Sequence, residues 1–401
     1  MRYYLANNFV LKRLETPALY DIRGDELYEL DETAFEFLKK CARTEGCSGE
    51  EADKAFTGYC LSEGILSGAP AAAGPLAESE QDHKKAQAFP EASFPGSSLV
   101  PSLRYLELQI TTRCNLRCRH CFIDHQDQNE LSADVIKDIL DEFESMQGLR
   151  LMITGGEPAT HSDFGVINEL LPGYGFRKIL FTNGLLLEKE LINKLNVDEI
   201  QFSVDGMERG HDALRGRGTY KKVMRSIRDA LSSSITVSIA TMVHSENTGE
   251  FAAMETLFKS MDIKDWTVDV PSLTSHIKND ELLHLPPEIA GQFLNYGFGG
   301  GLHGGGEGYA CGLHLLSVLA NGLVAKCAFY IHSPLGNVSE GLQKCRSRLK
   351  PVRLDALQCA GIACPFIDTC RGGCRFRAST AQGEWGTNSR DIYKCCAYGI
   401  I

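Results

Sequence analysis

Cys114, Cys118 and Cys121 stand with three and then two residues between them in Arg-Cys-Asn-Leu-Arg-Cys-Arg-His-Cys-Phe, residues 113–122. A tight loop with this spacing can aim three thiolates at one centre, and three is the informative number. A structural zinc site takes four protein ligands, commonly delivered two plus two. An iron–sulfur cluster held by three cysteines keeps one iron free of protein, where chemistry can be done. A second concentration of thiols lies in the last 91 residues: Cys311, Cys327, Cys345, Cys359, Cys364, Cys370, Cys374, Cys395 and Cys396. Chain ends with this density of soft ligands bind either zinc or iron–sulfur clusters.

The elements that must position these groups alternate from residue 103 onward. Strands are expected at 105–111, 149–154, 178–182, 199–204, 235–243 and 266–270, with helical patterns between them at 132–147, 162–171, 188–195, 219–232 and 248–260. Such alternation makes a parallel sheet with helices outside it. In parallel barrels the chemistry sits at the C-terminal strand ends. The first of these ends carries the three cysteines, and the second carries Thr-Gly-Gly-Glu-Pro, residues 154–158. Gly155 and Gly156 let the backbone approach a ligand closely, and Glu157 can accept from an amino group. The third and fourth ends offer Asn183, Ser203 and Asp205, which have the hydrogen-bonding groups that ribose hydroxyls need or can simply shape their own turns.

The three-cysteine loop resembles the radical S-adenosylmethionine (SAM) family motif Cys-x3-Cys-x-aromatic-Cys, with His120 in the aromatic position and an apolar strand leading in. The resemblance implies a partial (β/α)6 barrel and a [4Fe-4S] cluster held by Cys114, Cys118 and Cys121. SAM would lie among His120, Phe122, Gly155, Gly156, Glu157, Asn183, Ser203 and Asp205, with Arg215 on its carboxylate. One electron from that cluster splits the sulfonium bond and gives a 5'-deoxyadenosyl radical. The C-terminal cysteines resemble the SPASM domain. Asn321-Gly322 is a hairpin turn between Cys311 and Cys327, and Cys359-x4-Cys364-x5-Cys370-x3-Cys374 departs from the SPASM pattern in its first spacing, which is four where that pattern has two. By that resemblance one auxiliary [4Fe-4S] cluster takes Cys311, Cys327 and Cys374, with Cys345, a further side chain or nothing as its fourth ligand. The other takes Cys359, Cys364, Cys370 and either Cys395 or Cys396, giving three clusters in all.

Residues 1–67 read as a separate α+β unit of strand-like stretches at 3–14, 18–22 and 26–30 followed by helices from 31 and from 48, where Ser48 and Glu51 form a capping-box pattern. The run Leu-Tyr-Glu-Leu-Asp-Glu-Thr-Ala-Phe-Glu-Phe-Leu resembles a PqqD-like, winged-helix peptide-recognition domain, which adds a leader peptide to a sheet edge. Residues 68–100, rich in Ala, Gly, Pro, Ser and charge, read as a flexible linker joining this unit to the barrel at 101–296. The glycine-dense run at 297–308 opens the C-terminal domain at 297–401.

Composition narrows the function. With 43% hydrophobic and 23% charged residues the chain is of the soluble globular kind. No apolar run reaches the roughly 20 residues of a membrane span, and no secretory signal opens the chain, so a cytoplasmic protein is expected. Fifteen cysteines are then poor disulfide formers, and Cys41, Cys47 and Cys60 read as small apolar residues. A net charge of −11 argues against nucleic acid as the main partner. The expected function is oxidative modification of a ribosomally made precursor peptide, by a crosslink such as a thioether or by side-chain oxidation, with a reductant such as flavodoxin or ferredoxin. The rivals are a small-molecule enzyme acting on a haem precursor and a non-catalytic iron–sulfur or zinc scaffold.

Overall fold

The computed structural model describes residues 2–48, 53–68, 102–123, 127–272, 280–299, 308–380 and 388–401. The expected linker at 68–100 and most of the glycine run at 297–308 lie outside the described residues, as does Glu51.

The N-terminal unit is built from β1 (Arg2–Leu5), β2 (Phe9–Arg13), β3 (Pro17–Asp21), β4 (Glu26–Glu29), α1 (Glu32–Cys41), β5 (Cys47–Ser48), α2 (Lys54–Ser62) and β6 (Leu66–Ser67). Strands β2, β3 and β4 form an antiparallel meander in which Leu19 faces Leu11 on one side and Tyr28 on the other, leaving β4 at an edge. Asp31 caps α1 by accepting from the Ala34 N–H, and Asp53 caps α2 from the Ala55 and Phe56 N–H groups. Phe9, Leu11, Leu19, Phe35 and Leu38 form the core. Cys41 and Cys47 do not remain separate apolar residues. The chain turns back from the end of α1 to pair β5 with β1, which brings their Cα atoms to 4.5 Å, and the two form a disulfide.

This unit is not held by a tether alone. Leu14, Ala18, Tyr20 and Ile22 pack with the barrel residue Leu149. Asp25, in the turn after β3, receives Arg150 Nε at 2.8 Å, and Arg177 donates to the carbonyls of Ile22 and Arg23 at 2.6 and 2.9 Å. Buried Lys12 reaches Glu144 at 3.5 Å, and Glu15 takes the Arg104 guanidinium at 2.9 Å. Arg150 and Arg177 open their strands, so the unit is latched to the N-terminal ends of the barrel strands.

The barrel strands are β7 (Tyr105–Thr111), β8 (Arg150–Gly155), β9 (Arg177–Thr182), β10 (Glu199–Ser203), β11 (Thr236–Met242) and β12 (Asp265–Asp269), all parallel and neighbours in sequence order. They are joined by α3 (Ala133–Ser145), α4 (Phe164–Leu170), α5 (Lys189–Ile192), α6 (Glu208–Arg215), α7 (Thr219–Leu231) and α8 (Phe251–Ser260). This is the expected partial (β/α)6 barrel, with strand ends displaced by a residue or so. The helix α6 is additional, lying where a connection was expected. Apolar faces such as Ile136, Ile139, Leu140 and Phe143 of α3 pack against strand residues including Leu106, Leu108 and Leu151.

After α9 (Pro287–Phe293) comes the expected hairpin, β13 (Leu315–Val318) and β14 (Leu323–Ala325), followed by β15 (Gly336–Asn337). It is not a separate sheet. β13 pairs in parallel with β7, Leu316 opposite Leu106, so one nine-stranded sheet runs from β12 to β15. Short helices α10 (Leu342–Arg346), α11 (Gln358–Gly361), α12 (Ile367–Cys370), α13 (Arg375–Thr380) and α14 (Ile392–Ala397) complete the chain. No helix among the described residues is long and apolar enough to cross a membrane.

Candidate active site

The three-cysteine loop leaves the C-terminal end of β7. Close backbone packing sets its position: a Cβ on Gly155 would lie 2.2 Å from the Thr111 carbonyl, and one on Gly156 2.2 Å from the Arg113 carbonyl. Gly155 also has φ of +136°, so glycine is required here on two counts. The Gly156 and Glu157 N–H groups then bond to the Thr111 and Arg113 carbonyls at 2.8 Å each, fastening the loop to the end of β8. Arg119, between Cys118 and His120, reaches Asp280 through two nitrogens and holds the outer side of the loop.

Burial pushes the thiols of Cys114, Cys118 and Cys121 up, Cys121 to about 11, with the neighbouring thiols adding to the rise at Cys121 and Arg215 opposing it at Cys118. Burial alone therefore favours the protonated form of these thiols, and a bound cation would favour the thiolates. Arg215 Nη1 lies 3.9 Å from Cys118 Sγ, and Asn183 Nδ2 lies 3.9 Å from Cys114 Sγ. The His120 ring sits beside Arg215 at 3.4 Å, and its buried Nδ1 has no partner among the described residues. Three thiols, an unpartnered ring nitrogen and a glycine pair give a donor set that fits a [4Fe-4S] cluster and SAM.

Glu157 is fully buried. It accepts from Thr182 Oγ1 and the Asn183 N–H at 2.8 Å each and from the Ala159 N–H at 3.4 Å. Burial raises its pKa to about 7 against the pull of those donors. It thus ties β8 to the end of β9 and keeps part of its acceptor capacity. Asn183 is clamped to Asn115 at 2.7 Å, and Ser203 is half-buried at the end of β10. One Asp205 oxygen accepts from Arg215 Nε and the other from the Met242 N–H, so the carboxylate orients Arg215. Burial alone would raise the Asp205 carboxyl, but Arg215 holds it well below the usual range. His244 Nε2 at 3.0 Å and Asn247 Nδ2 at 2.8 Å also contact the Asp205 carbonyl, a supporting ring that sequence reading missed because neither residue belongs to a local motif.

The C-terminal cysteines fall into two groups. Cys359, Cys364, Cys370 and Cys395 line one small cavity with Asp391, Lys394 and Tyr398. Cys396 is not among them; it packs against Gly291 of α9. Burial raises the Cys327 thiol strongly, and Glu107, Cys374 and Cys311 add to the shift, so Cys311, Cys327 and Cys374 are mutual neighbours. Cys345 is not brought to either group. It is buried in the core of the barrel with its thiol 3.4 Å from the Asn337 carbonyl. Glu107, read only as a strand residue, is a buried carboxyl that accepts from Ser317 Oγ and from the Ala328 N–H at 3.3 Å. Phe122 stacks toward Phe329 at 4.9 Å and Phe329 on Phe376 at 5.3 Å, an aromatic run from the Cys121 side to the Cys374 side.

Comparison with known proteins agrees with this geometry. Residues 108–258 match the model of the radical SAM superfamily. The chain is 29% identical to the mycofactocin maturase MftC of Mycolicibacterium smegmatis over 308 residues, 67% of this chain and 77% of that one. It is 22% identical to the Fe-coproporphyrin III synthase of Methanosarcina barkeri, over 69% of this chain and 84% of that one. Among solved structures, SuiB of Streptococcus suis bound to S-adenosylmethionine superposes with a TM-score of 0.65 at 16% identity, covering 96% of this chain and 98% of SuiB. The matched segment holds the three-cysteine loop, the Gly-Gly-Glu turn and the Asp205–Arg215 pair on five of the six parallel barrel strands, and this part of the chain is similar to the radical SAM superfamily.

Proposed function

We propose that the chain is a radical SAM/SPASM oxidoreductase that modifies a ribosomally synthesised precursor peptide, forming a crosslink such as a thioether or oxidising a side chain. The observation that carries the peptide reading is the N-terminal unit, latched to the barrel with β4 as an edge strand able to accept an added peptide strand. The similarity to a mycofactocin maturase supports it, as does the superposition of SuiB bound to its precursor peptide SuiA over 98% of this chain. The domain assignment is a PqqD-like unit at 1–67, a linker at 68–100, the barrel at 101–296 and a SPASM domain at 297–401. Thirteen of the cysteines are free, which suits a reducing cytoplasm.

Cys114, Cys118 and Cys121 would hold the SAM cluster, which with SAM supplies a 5'-deoxyadenosyl radical when an electron arrives from a flavodoxin or ferredoxin. Arg215, fixed by Asp205, is placed to pair with the SAM carboxylate, and Glu157 with its amino group. Cys311, Cys327 and Cys374 would hold one auxiliary cluster, and Cys359, Cys364, Cys370 and Cys395 the other. Phe122, Phe329 and Phe376 form a run of ring contacts between the loop and the first auxiliary group. A second reading, action on a haem precursor, is favoured by the similarity to the Fe-coproporphyrin III synthase. The test is to incubate anaerobically reconstituted enzyme, SAM and reductant with the peptide encoded by a short reading frame beside the gene. Mass spectrometry should find the loss of a pair of hydrogens per modification. Formation of 5'-deoxyadenosine with an unchanged peptide, together with conversion of a haem precursor to iron-coproporphyrin III, would overturn the peptide reading.

A further inference from the structure

Arg377 lies between the two C-terminal cysteine groups and belongs to neither. Its side chain is buried, and its guanidinium is shared by two carboxylates from distant parts of the chain. Nε and Nη2 approach Asp391 at 3.1 and 2.7 Å, while Nη1 donates to Asp269 at 2.7 Å. Asp269 ends β12, the last barrel strand. Asp391 also accepts from the Cys374 N–H at 2.9 Å, caps α14, which carries Cys395, and lines the cavity of the second group. The Arg377 N–H itself lies 3.5 Å from Cys374 Sγ. One cation therefore touches the barrel, a ligand of the first group and the wall of the second. The Arg377–Asp391 pair is buried while Asp269 is half exposed, and a buried ion pair is a costly way to join segments, since apolar packing of the same volume is often no less stable. Fixed charge in low dielectric does what packing cannot, because it acts over several ångströms on whatever charge changes nearby.

We infer that Arg377 is a positioning residue that holds both auxiliary groups in register with the barrel and sets how readily clusters bound there accept an electron. The inference rests on the auxiliary-cluster reading above. One-electron reduction makes a thiolate-ligated cluster more negative, and a neighbouring guanidinium stabilises that product. The two carboxylates temper the effect, so the triad as a whole sets the balance.

The experiment is an anaerobic dithionite titration of the holoenzyme followed by electron paramagnetic resonance, with iron counted per chain. R377Q should lower the reduced-to-oxidised ratio of the auxiliary signals at least tenfold at fixed potential, about 59 mV for one electron. R377K, which keeps the charge but not the fork, should restore most of it. D269N should shift the same signals in the opposite direction, and it decides the matter if R377Q fails to retain its clusters. The SAM-cluster signal is the internal control and should not move. Auxiliary potentials unmoved in D269N and in an iron-replete R377Q would overturn the inference alone, as would an R377K as altered as R377Q, which would mean a packing role. Parent protein holding only one cluster's iron would instead bring down the auxiliary-cluster reading and this inference with it.

Discussion

Asp25→Asn tests whether the N-terminal unit is latched or merely tethered. Asn keeps the size and the left-handed backbone, φ +61°, that position 25 adopts. It removes the carboxylate that meets Arg150 at 2.5 Å and Arg177 at 3.7 Å. Removing one partner of a buried ion pair costs about 3–5 kcal/mol, because the other charge is left without compensation. Arg177 keeps Glu199 at 2.8 Å, and an Asn oxygen can still accept from Arg150, so the low end applies. About 3 kcal/mol is on the order of 100-fold in the docking equilibrium. Hydrogen exchange read by mass spectrometry should rise in peptides covering 17–30 and 147–151, while the α1 and α2 core exchanges as before. Glu32→Gln, which breaks the exposed pair with Arg13, is the control and should leave exchange at the latch unchanged. Unchanged exchange at both the β3–β4 turn and Arg150 would refute the latch, and with it the reasoning that places the unit against the barrel.

Replacing Cys114, Cys118 and Cys121 together with Ala should remove about four of about twelve irons and all SAM cleavage, and full iron content would refute their assignment. Cys395→Ala should lose iron while Cys396→Ala and Cys345→Ala do not, since only Cys395 of these lines the cysteine cavity; iron analysis of the three variants decides this. Glu157→Ala should keep its clusters and bind SAM roughly tenfold or more weakly, as loss of a charged hydrogen bond worth about 1.5–3 kcal/mol requires, and unchanged affinity by calorimetry would remove Glu157 from the site. Burial favours protonating Glu15, but the Ser102 N–H and Arg104 hold its pKa down at about 2. A depressed carboxylate stabilises above its unfolded value of 4.5 and loses that contribution as pH falls toward 2, so acid should loosen the latch in the parent and much less so in Glu15→Gln.

The barrel was legible because each of its strands is a short apolar run followed by a helical repeat, and because close-packed glycines and thiols at fixed spacing sit where strands end. What sequence reading missed was mostly nonlocal. Asp25, Arg150 and Arg177 belong to no local motif, and only the fold brings them together. Cys41 and Cys47 were read as apolar by a compartment argument, which carries no information about a six-residue turn that brings them together. The pairing of Asp205 with Arg215, at the end of the following helix, is likewise visible only in the fold. Arg377 lies in no motif at all.

The parallel pairing of β13 with β7 has a consequence for how the chain is made. Glu107 and Ser317, which meet across those strands, are 210 residues apart. While the chain emerges from the ribosome, β7 therefore has one flank unpaired until residue 315 has been added. That flank adjoins the three-cysteine loop, and an open strand edge invites pairing with other chains. Chains cut short before residue 315 should therefore aggregate rather than persist as a half-built barrel.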